Sequence, residues 1–389
     1  MKNQPSTTTT LLITAGCFLS FFVFGFTDNL KGPTLPPMIA EMGISYGTGG
    51  NIFFGIYFGF LLTTLLSGIL ADRFGLKLVL MIAGVLLAFG VGGYSYSQTA
   101  FLLGASLFVV GLGLGAIELG ANAAIVAAHP HRKGLYLNLM AVMHGLGAML
   151  APLFAGWLLS QNVSWRVVYR WDILLILTFL LLFSFIRFPK TDEKASLDFR
   201  RIPQFAFKGQ LPWFYTAIML YVAAEVGIGS WLVAFLQDVH GESVASSTGS
   251  LSLFFALIMV GRLIGGFFVQ RLGFLRSNLI AAIASLVCVS IGTFTSLAIF
   301  LPITGFFYSI IFPTFTAAVS ETQKENTNTV LGVLFTFAGV GGLIGPWSIA
   351  QASDLLGLQT GFAVGAGFTF LLVLSILILA KGANDGQIA

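Results

Sequence analysis

One carboxylate, Glu118, stands in a run from Ala100 to Val126 that carries no other charge. Such a run crosses a bilayer as a helix, since crossing takes about 20 residues. An unpaired, ionised acid at that depth is costly, so Glu118 should face a bundle interior or a wet cavity. Asn122 lies four residues on, on the same helix face. Gly111, Gly113, Gly115, Gly120, Ala121 and Ala123 let a neighbouring helix or a ligand come close. The chemistry this suits is reversible proton carriage beside a ligand-binding amide. The plainer alternative is a protonated Glu that only bonds the next helix.

Other polar groups are set in apolar surroundings. Asp28 and Lys31 are three apart and can pair on one face. Gly32, Pro33, Pro36 and Pro37 follow and are expected to interrupt that helix, which membranes tolerate where backbone lines a cavity. The pair is therefore a candidate outer gate, or simply charge at the wet end of a helix. Glu225 mirrors Glu118 in the second half, with Tyr221 before it and Trp231 after it. His144 is mid-segment, and its imidazole can donate to a ligand, to Glu118 or to a neighbouring helix. Arg262 keeps its proton and so needs an acid or carbonyls, with Glu225 a candidate.

These side chains need helices to hold them, and the composition supplies little else. Only 9% of the 389 residues are charged and 57% are hydrophobic, whereas soluble domains run at about 25% charged. The apolar runs are continuous rather than alternating, which disfavours a β-barrel. Twelve apolar segments fall near 11–38, 47–71, 76–95, 99–127, 134–160, 167–188, 211–237, 246–270, 275–295, 297–320, 327–352 and 359–380. The longest polar stretch, Pro189 to Gln210, reads as a linker between a bundle at 1–188 and one at 211–389. With both termini cytoplasmic, Lys2, Arg73, Lys77, Arg132, Lys133, the linker bases, Arg271, Arg276, Lys324 and Lys381 all fall inside. Only Arg166, Arg170 and the partly embedded Lys31 fall outside, as the positive-inside rule requires. Cys17 and Cys288 lie in apolar runs and suggest neither a disulfide framework nor a metal site. The apolar run also continues past Cys17, so the first helix is read as retained rather than cleaved.

The segment Gly68-Ile-Leu-Ala-Asp72-Arg73-Phe-Gly75-Leu-Lys77 closes the second helix, and Gly266 to Arg276 repeats its pattern after the eighth. The first resembles the signature loop of the major facilitator superfamily. That resemblance implies twelve helices in two six-helix bundles, with Asp72, Arg73 and Lys77 in a cytoplasmic gate. Asp28 to Pro36, Glu118 to Asn122, Tyr136 to Leu139, His144 to Ala148, Tyr221 to Trp231, Gly261-Arg262 and Phe312 to Thr314 add a second layer. In that order they resemble the fucose–galactose–glucose:proton symporter family and its sodium–glucose relatives. One departure matters: aligning Asn29, Leu30 and Pro36 with the family's first-helix motif leaves Gly32 where the family carries an acid, with Asp28 one turn earlier.

The expected protein is an all-α polytopic membrane protein of the major facilitator fold. The resemblance implies proton-coupled symport of a neutral hexose in a bacterial plasma membrane, by a monomer without a cofactor. Glu118 and Asp28 are the expected proton-coupling residues. Asn29, Asn122, His144, Glu225, Trp231 and Arg262 are the expected sugar contacts, because amides and carboxylates bond hydroxyls and an indole packs on a pyranose face. Lys31 joins the gating set. Sodium could replace the proton, and a drug or metabolite exporter of the same fold is the rival. No phosphate-cradling loop, nucleophile elbow or metal-ligand cluster is present in the sequence, and the bases serve topology rather than nucleic acid. An enzyme is not expected.

Overall fold

The computed structural model describes residues 7–186, 207–322 and 327–384; the side chains of 65–74 are outside that description. Fourteen helices occur among the described residues. They are α1 (Thr7–Asn29), α2 (Lys31–Met42), α3 (Tyr46–Phe74), α4 (Leu76–Tyr96), α5 (Ala100–Ala128), α6 (Lys133–Ser160) and α7 (Trp165–Phe185). After the expected linker, which lies mostly outside the described residues, come α8 (Leu211–Asp238), α9 (Val244–Leu272), α10 (Phe274–Phe294) and α11 (Phe300–Tyr308). The last three are α12 (Ile311–Thr322), α13 (Thr327–Leu356) and α14 (Leu358–Asn384). Eleven spans among the described residues are long and apolar enough to cross a bilayer, α1 with α2 and α11 with α12 each forming one. The 29-residue α3 is long enough to be the twelfth. The chain is an integral, multi-pass membrane protein.

Helices suit this sequence because hydrocarbon leaves no partner for a free backbone group. Both interrupted spans show how proline is accommodated. Pro33 has no N–H to offer the carbonyl of Asn29, and Pro313 has none for Ser309. The helix loosens at Leu30 in the first case and at Ser309–Ile310 in the second. Leu30 and Ser309 both keep right-handed helical dihedrals, so the direction of the span is preserved. Side chains add bonds to backbone carbonyls around the break: Asn29 Nδ2 donates to Gly25 O at 2.8 Å, and the Thr34 hydroxyl to Leu30 O at 2.7 Å. The interruption therefore falls ahead of Pro33 rather than along Gly32 to Pro37, and α2 runs on through Pro36 and Pro37 to Met42. The second interruption was not expected, since 297–320 reads as one continuous segment.

Contacts group the chain into two compact units, Met1–Ile44 with Asn51–Ser196 and Ser45–Gly50 with Leu197–Ala389. In the first, α4 lies along α5 and α7, and α1 lies along α6. Gly25 abuts the backbone carbonyl of His144, and Gly147 abuts that of Phe22. Bare backbone on both sides lets α1 and α6 approach as small-residue membrane seams do. In the second unit α8 and α13 repeat this seam six spans later, with Gly341 against the carbonyl of Met219 and Gly345 against that of Ala223.

Candidate functional site

Within the first unit, Glu118 is partly exposed on α5, between the buried Ile117 and Gly120. The amide of Asn122 donates to Glu118 Oε1 at 3.1 Å and to its backbone carbonyl at 2.7 Å. One turn of helix thus supplies the carboxylate with a neutral donor. His144 of α6 presents its ring to Phe24 in an edge arrangement at 4.8 Å, with Phe21 at 6.5 Å. That places His144 on the α1 side of its helix.

The Asp28–Lys31 pair forms as the spacing suggests. Lys31 Nζ donates to Asp28 Oδ1 at 2.7 Å and to the Asp28 carbonyl at 2.5 Å. The ammonium also lies 5.2 Å over the ring of Tyr57, and Lys31 is only 4% exposed. A buried cation needs this number of partners, because desolvation otherwise exceeds its Coulombic gain. Asn29 spends its amide on Gly25 O. Lys77 Nζ donates to the Ser184 carbonyl at 2.9 Å, tying α4 to the end of α7. The side chains of Asp72 and Arg73 lie outside the described residues.

Two further features of this unit were not anticipated. Glu41 accepts from Arg166 Nε and from Trp165 Nε1, each at 2.8 Å, while Arg166 also donates to the Ser97 carbonyl at 2.6 Å. Arg166 is thus a fastener between α2, α7 and the α4–α5 turn, beyond any role in topology. The second is Asp172 on α7, 1% exposed, which accepts from the Thr27 hydroxyl at 3.1 Å through Oδ1. Asp172 was legible by the rule that singled out Glu118, an acid inside an apolar span.

In the second unit Glu225 is half-buried on α8, beside the phenol of Tyr221 and within electrostatic reach of Arg262 on α9. Arg262 itself is exposed on its unit's surface. Tyr221 and Tyr308 are fully buried with ring centroids 5.7 Å apart, and the Tyr308 hydroxyl bonds Thr369 Oγ1 at 2.5 Å. Trp231 is fully buried and its indole N–H donates to the carbonyl of Pro346 at 3.0 Å. The ring that sequence reasoning assigned to a sugar face is therefore enclosed here, with the edge of Tyr46 5.8 Å away. Residues 45–50 are clasped by the same unit: Tyr46 Oη donates to Asp238 and Ser45 Oγ to Asp354, each at 2.7 Å. Gln351 Nε2 adds a 3.2 Å bond to the Gly47 carbonyl.

At the α5–α6 turn a shallow depression of about 320 Å³ is lined by Thr10, His129, His131 and Arg132. His129 Nε2 bonds the Thr14 hydroxyl at 2.7 Å, and its ring stacks on Tyr136 at 3.4 Å. No group of three potential metal ligands occurs among the described residues.

The family model described as Major Facilitator Superfamily matches residues 17–346. A glucose/galactose transporter of Brucella abortus is 29% identical over 370 residues, covering 88% of each chain. The L-fucose-proton symporter of Escherichia coli K12 is 23% identical over 371 residues, covering 84% of this chain and 83% of its own. A crystal structure of the E. coli fucose:proton symporter is similar in fold, with a TM-score of 0.65 at 20% identity over 95% of this chain and 99% of that one. A multidrug resistance protein of Salmonella choleraesuis is 28% identical over 375 residues, covering 90% of each.

Proposed function

The chain belongs to the Major Facilitator Superfamily, and on that footing we propose that it is a secondary carrier that moves a neutral hexose together with a proton. The observation that carries this reading is Glu118, an acid deep in the apolar α5 whose described partner is the neutral amide of Asn122. About 15 Å of helix separates Glu118 from the end of α5 at Ala128, which places it near mid-membrane. An ionised Glu118 has to cross with its charge, whereas a protonated one crosses neutral, so proton binding lowers the cost of the conformational step. Sugar bound beside it makes that step favourable only when both are aboard, which is the condition for symport.

Asn122, His144, Glu225 and Arg262 are the proposed sugar contacts: an amide, an imidazole, a carboxylate and a guanidinium, all able to bond hydroxyls. Trp231, a sugar contact in the sequence reading, packs within the second unit with its N–H committed to Pro346. Asn29 and the Asp28–Lys31 pair serve the opposite end of α1. Asp72, Arg73 and Lys77 form the proposed cytoplasmic gate of a monomer in a bacterial plasma membrane, with both termini inside. Names of relatives support the substrate class, glucose and galactose in one and fucose with a proton in another.

The test is uptake of radiolabelled hexoses into proteoliposomes under an imposed pH gradient or sodium gradient. Concentrative uptake of one hexose under the pH gradient supports the reading. Uptake under sodium alone replaces the coupling ion. The multidrug relative gives the exporter reading its footing. Movement of lipophilic cations with no hexose flux would establish that reading in place of symport.

A further inference from the structure

The turn between α5 and α6 gathers positive charge that nothing around it balances. His129, Pro130, His131, Arg132 and Lys133 follow one another there, and His131, Arg132 and Lys133 are all exposed. The ion pairs among the described residues, Asp28–Lys31 and Glu41–Arg166, include none of them. The helices that meet at the turn are equally bare of acids. α6 carries none along its length, α1 none before Asp28, and the nearest on α5 is Glu118, ten residues before Ala128. Because α5 and α6 are both long and apolar enough to cross the bilayer, the turn joining them lies at its surface.

This charge borders a hollow. The depression of about 320 Å³ is walled by His129, Pro130, His131 and Arg132 of the turn and by Thr10 of α1. The Thr14 hydroxyl donates to the Thr10 carbonyl at 2.8 Å, so in its 2.7 Å bond with His129 the imidazole Nε2 is the donor. With its ring also stacked on Tyr136, His129 is a fixed wall, and the donors left for a ligand are those of His131, Arg132 and Lys133. Next along the chain, Gly134 has nothing within 4 Å of where a Cβ would stand, so bare backbone meets open space at the start of α6. Arg132, the residue before α6, makes no capping bond through its side chain, which leaves the first N–H groups of the helix without a side-chain cap. Guanidinium, ammonium and helix-end N–H donors together are what phosphate oxygens take. Leu11, beside Thr10, and Leu135 and Leu139, one turn apart on α6, are exposed as well. They offer an acyl chain a place to lie while its headgroup fills the hollow.

We propose that this turn is a binding site for a phosphate group, presented by the headgroup of an anionic membrane lipid or by a soluble phosphate. His131 and Arg132 bond its oxygens from the rim of the hollow, Lys133 supplies the second full charge, and the start of α6 supplies N–H groups. Topology alone asks only for bases somewhere in the loop. It asks neither for the hollow nor for the bare backbone beside it, whereas basic pockets between membrane helices are where lipid headgroups bind. Occupancy would brace α1 against the joint between α5, which carries Glu118, and α6, which carries His144. The site is separate from the proposed sugar contacts and stands without the symport reading.

Two binding measurements on the purified full-length protein distinguish the sources. Native mass spectrometry counts the phosphatidylglycerol and phosphatidylcholine retained from vesicles that mix the two. Equilibrium dialysis against radiolabelled inorganic phosphate is done on the protein in nanodiscs of phosphatidylcholine alone. Preferential retention of phosphatidylglycerol that falls about tenfold or more in the double variant Arg132→Gln, Lys133→Gln supports the site with a lipid as its source. Saturable phosphate binding that falls by the same factor supports it with a soluble source. Gly134→Asp fits the open space and sets a carboxylate at a helix start, where it suits the fold. It should lose the ligand while keeping its Tm, which separates lost binding from lost folding. The double variant Arg271→Gln, Arg276→Gln removes the same charge around the α9–α10 turn and should leave both measurements unchanged. Equal losses in that control, no loss in either variant of the α5–α6 turn, or neither kind of binding in the wild type overturns the site. Neither measurement contains a hexose, so its failure is distinct from a failure of sugar transport.

Discussion

The indole nitrogen of Trp231 and the carbonyl of Pro346, 3.0 Å apart, fasten α8 to α13 along the seam that Gly341 and Gly345 make possible. Trp231 is enclosed by this contact, so its first duty is to packing. Trp231→Phe keeps a ring and deletes the bond, which is worth about 1 kcal/mol. The expected result is a modestly lowered Tm in detergent with hexose affinity changed less than twofold. Trp231→Ala also removes the ring volume, at roughly 3–5 kcal/mol, and should depress Tm severely. A large affinity loss in Trp231→Phe at unchanged Tm would return the indole to the ligand.

Glu118→Gln separates carriage of the proton from carriage of the substrate. The substituted amide is close in shape to the protonated acid, so the loaded form of the carrier is mimicked permanently. Accumulation driven by a pH gradient should fall to the background of empty vesicles. Exchange of labelled for unlabelled hexose across the same membrane should persist. Full accumulation by this variant would remove Glu118 from the coupling role.

Gly25→Leu tests the α1–α6 seam. A Cβ at Gly25 meets the His144 backbone carbonyl, which cannot turn aside as a side chain can. The variant should lose the monodisperse peak on size-exclusion chromatography. Gly332→Leu, at a position with nothing within 4 Å of the added Cβ, should retain it.

His129 gives a pH prediction at the helix end. Partial burial against Tyr136 and Thr14 holds its imidazole below the usual 6.5. The fold therefore favours the neutral ring, and the unfolded chain binds the proton first as pH falls. Stability from this contact is complete above about 6.5 and is lost as pH drops from there toward the folded midpoint. Observed by NMR, His129 should titrate below the usual 6.5. A midpoint at or above that value would show that the ring is not held.

Local contacts were the legible ones. Asp28 with Lys31, and Glu118 with Asn122, are pairs within a single turn, where sequence spacing and spatial distance are nearly the same quantity. The spans were legible for a similar reason, since the bilayer imposes length and hydropathy on each helix separately. The Thr27–Asp172 bond joins residues 145 apart and the Glu41–Arg166 pair joins residues 125 apart. Nothing local encodes which acid faces which donor at such separations. Pro313 is an intermediate case. Its missing N–H was visible, yet whether a proline bends, loosens or leaves a helix intact depends on its neighbours, and α6 runs unbroken through Pro152.

The balanced charge of the Asp28–Lys31 pair also bears on membrane voltage. A potential of 100 mV does about 2.3 kcal/mol of work on one elementary charge moved across the membrane. An ammonium paired with a carboxylate at 2.7 Å presents almost no net charge to that field. The pair is electrically silent, however far it travels during the proposed cycle. In the proposed symport cycle, voltage acts instead on Glu118 while it is empty of its proton. The electrical work falls on the return of the unloaded carrier, so the inside-negative potential of a living cell would speed resetting rather than substrate delivery.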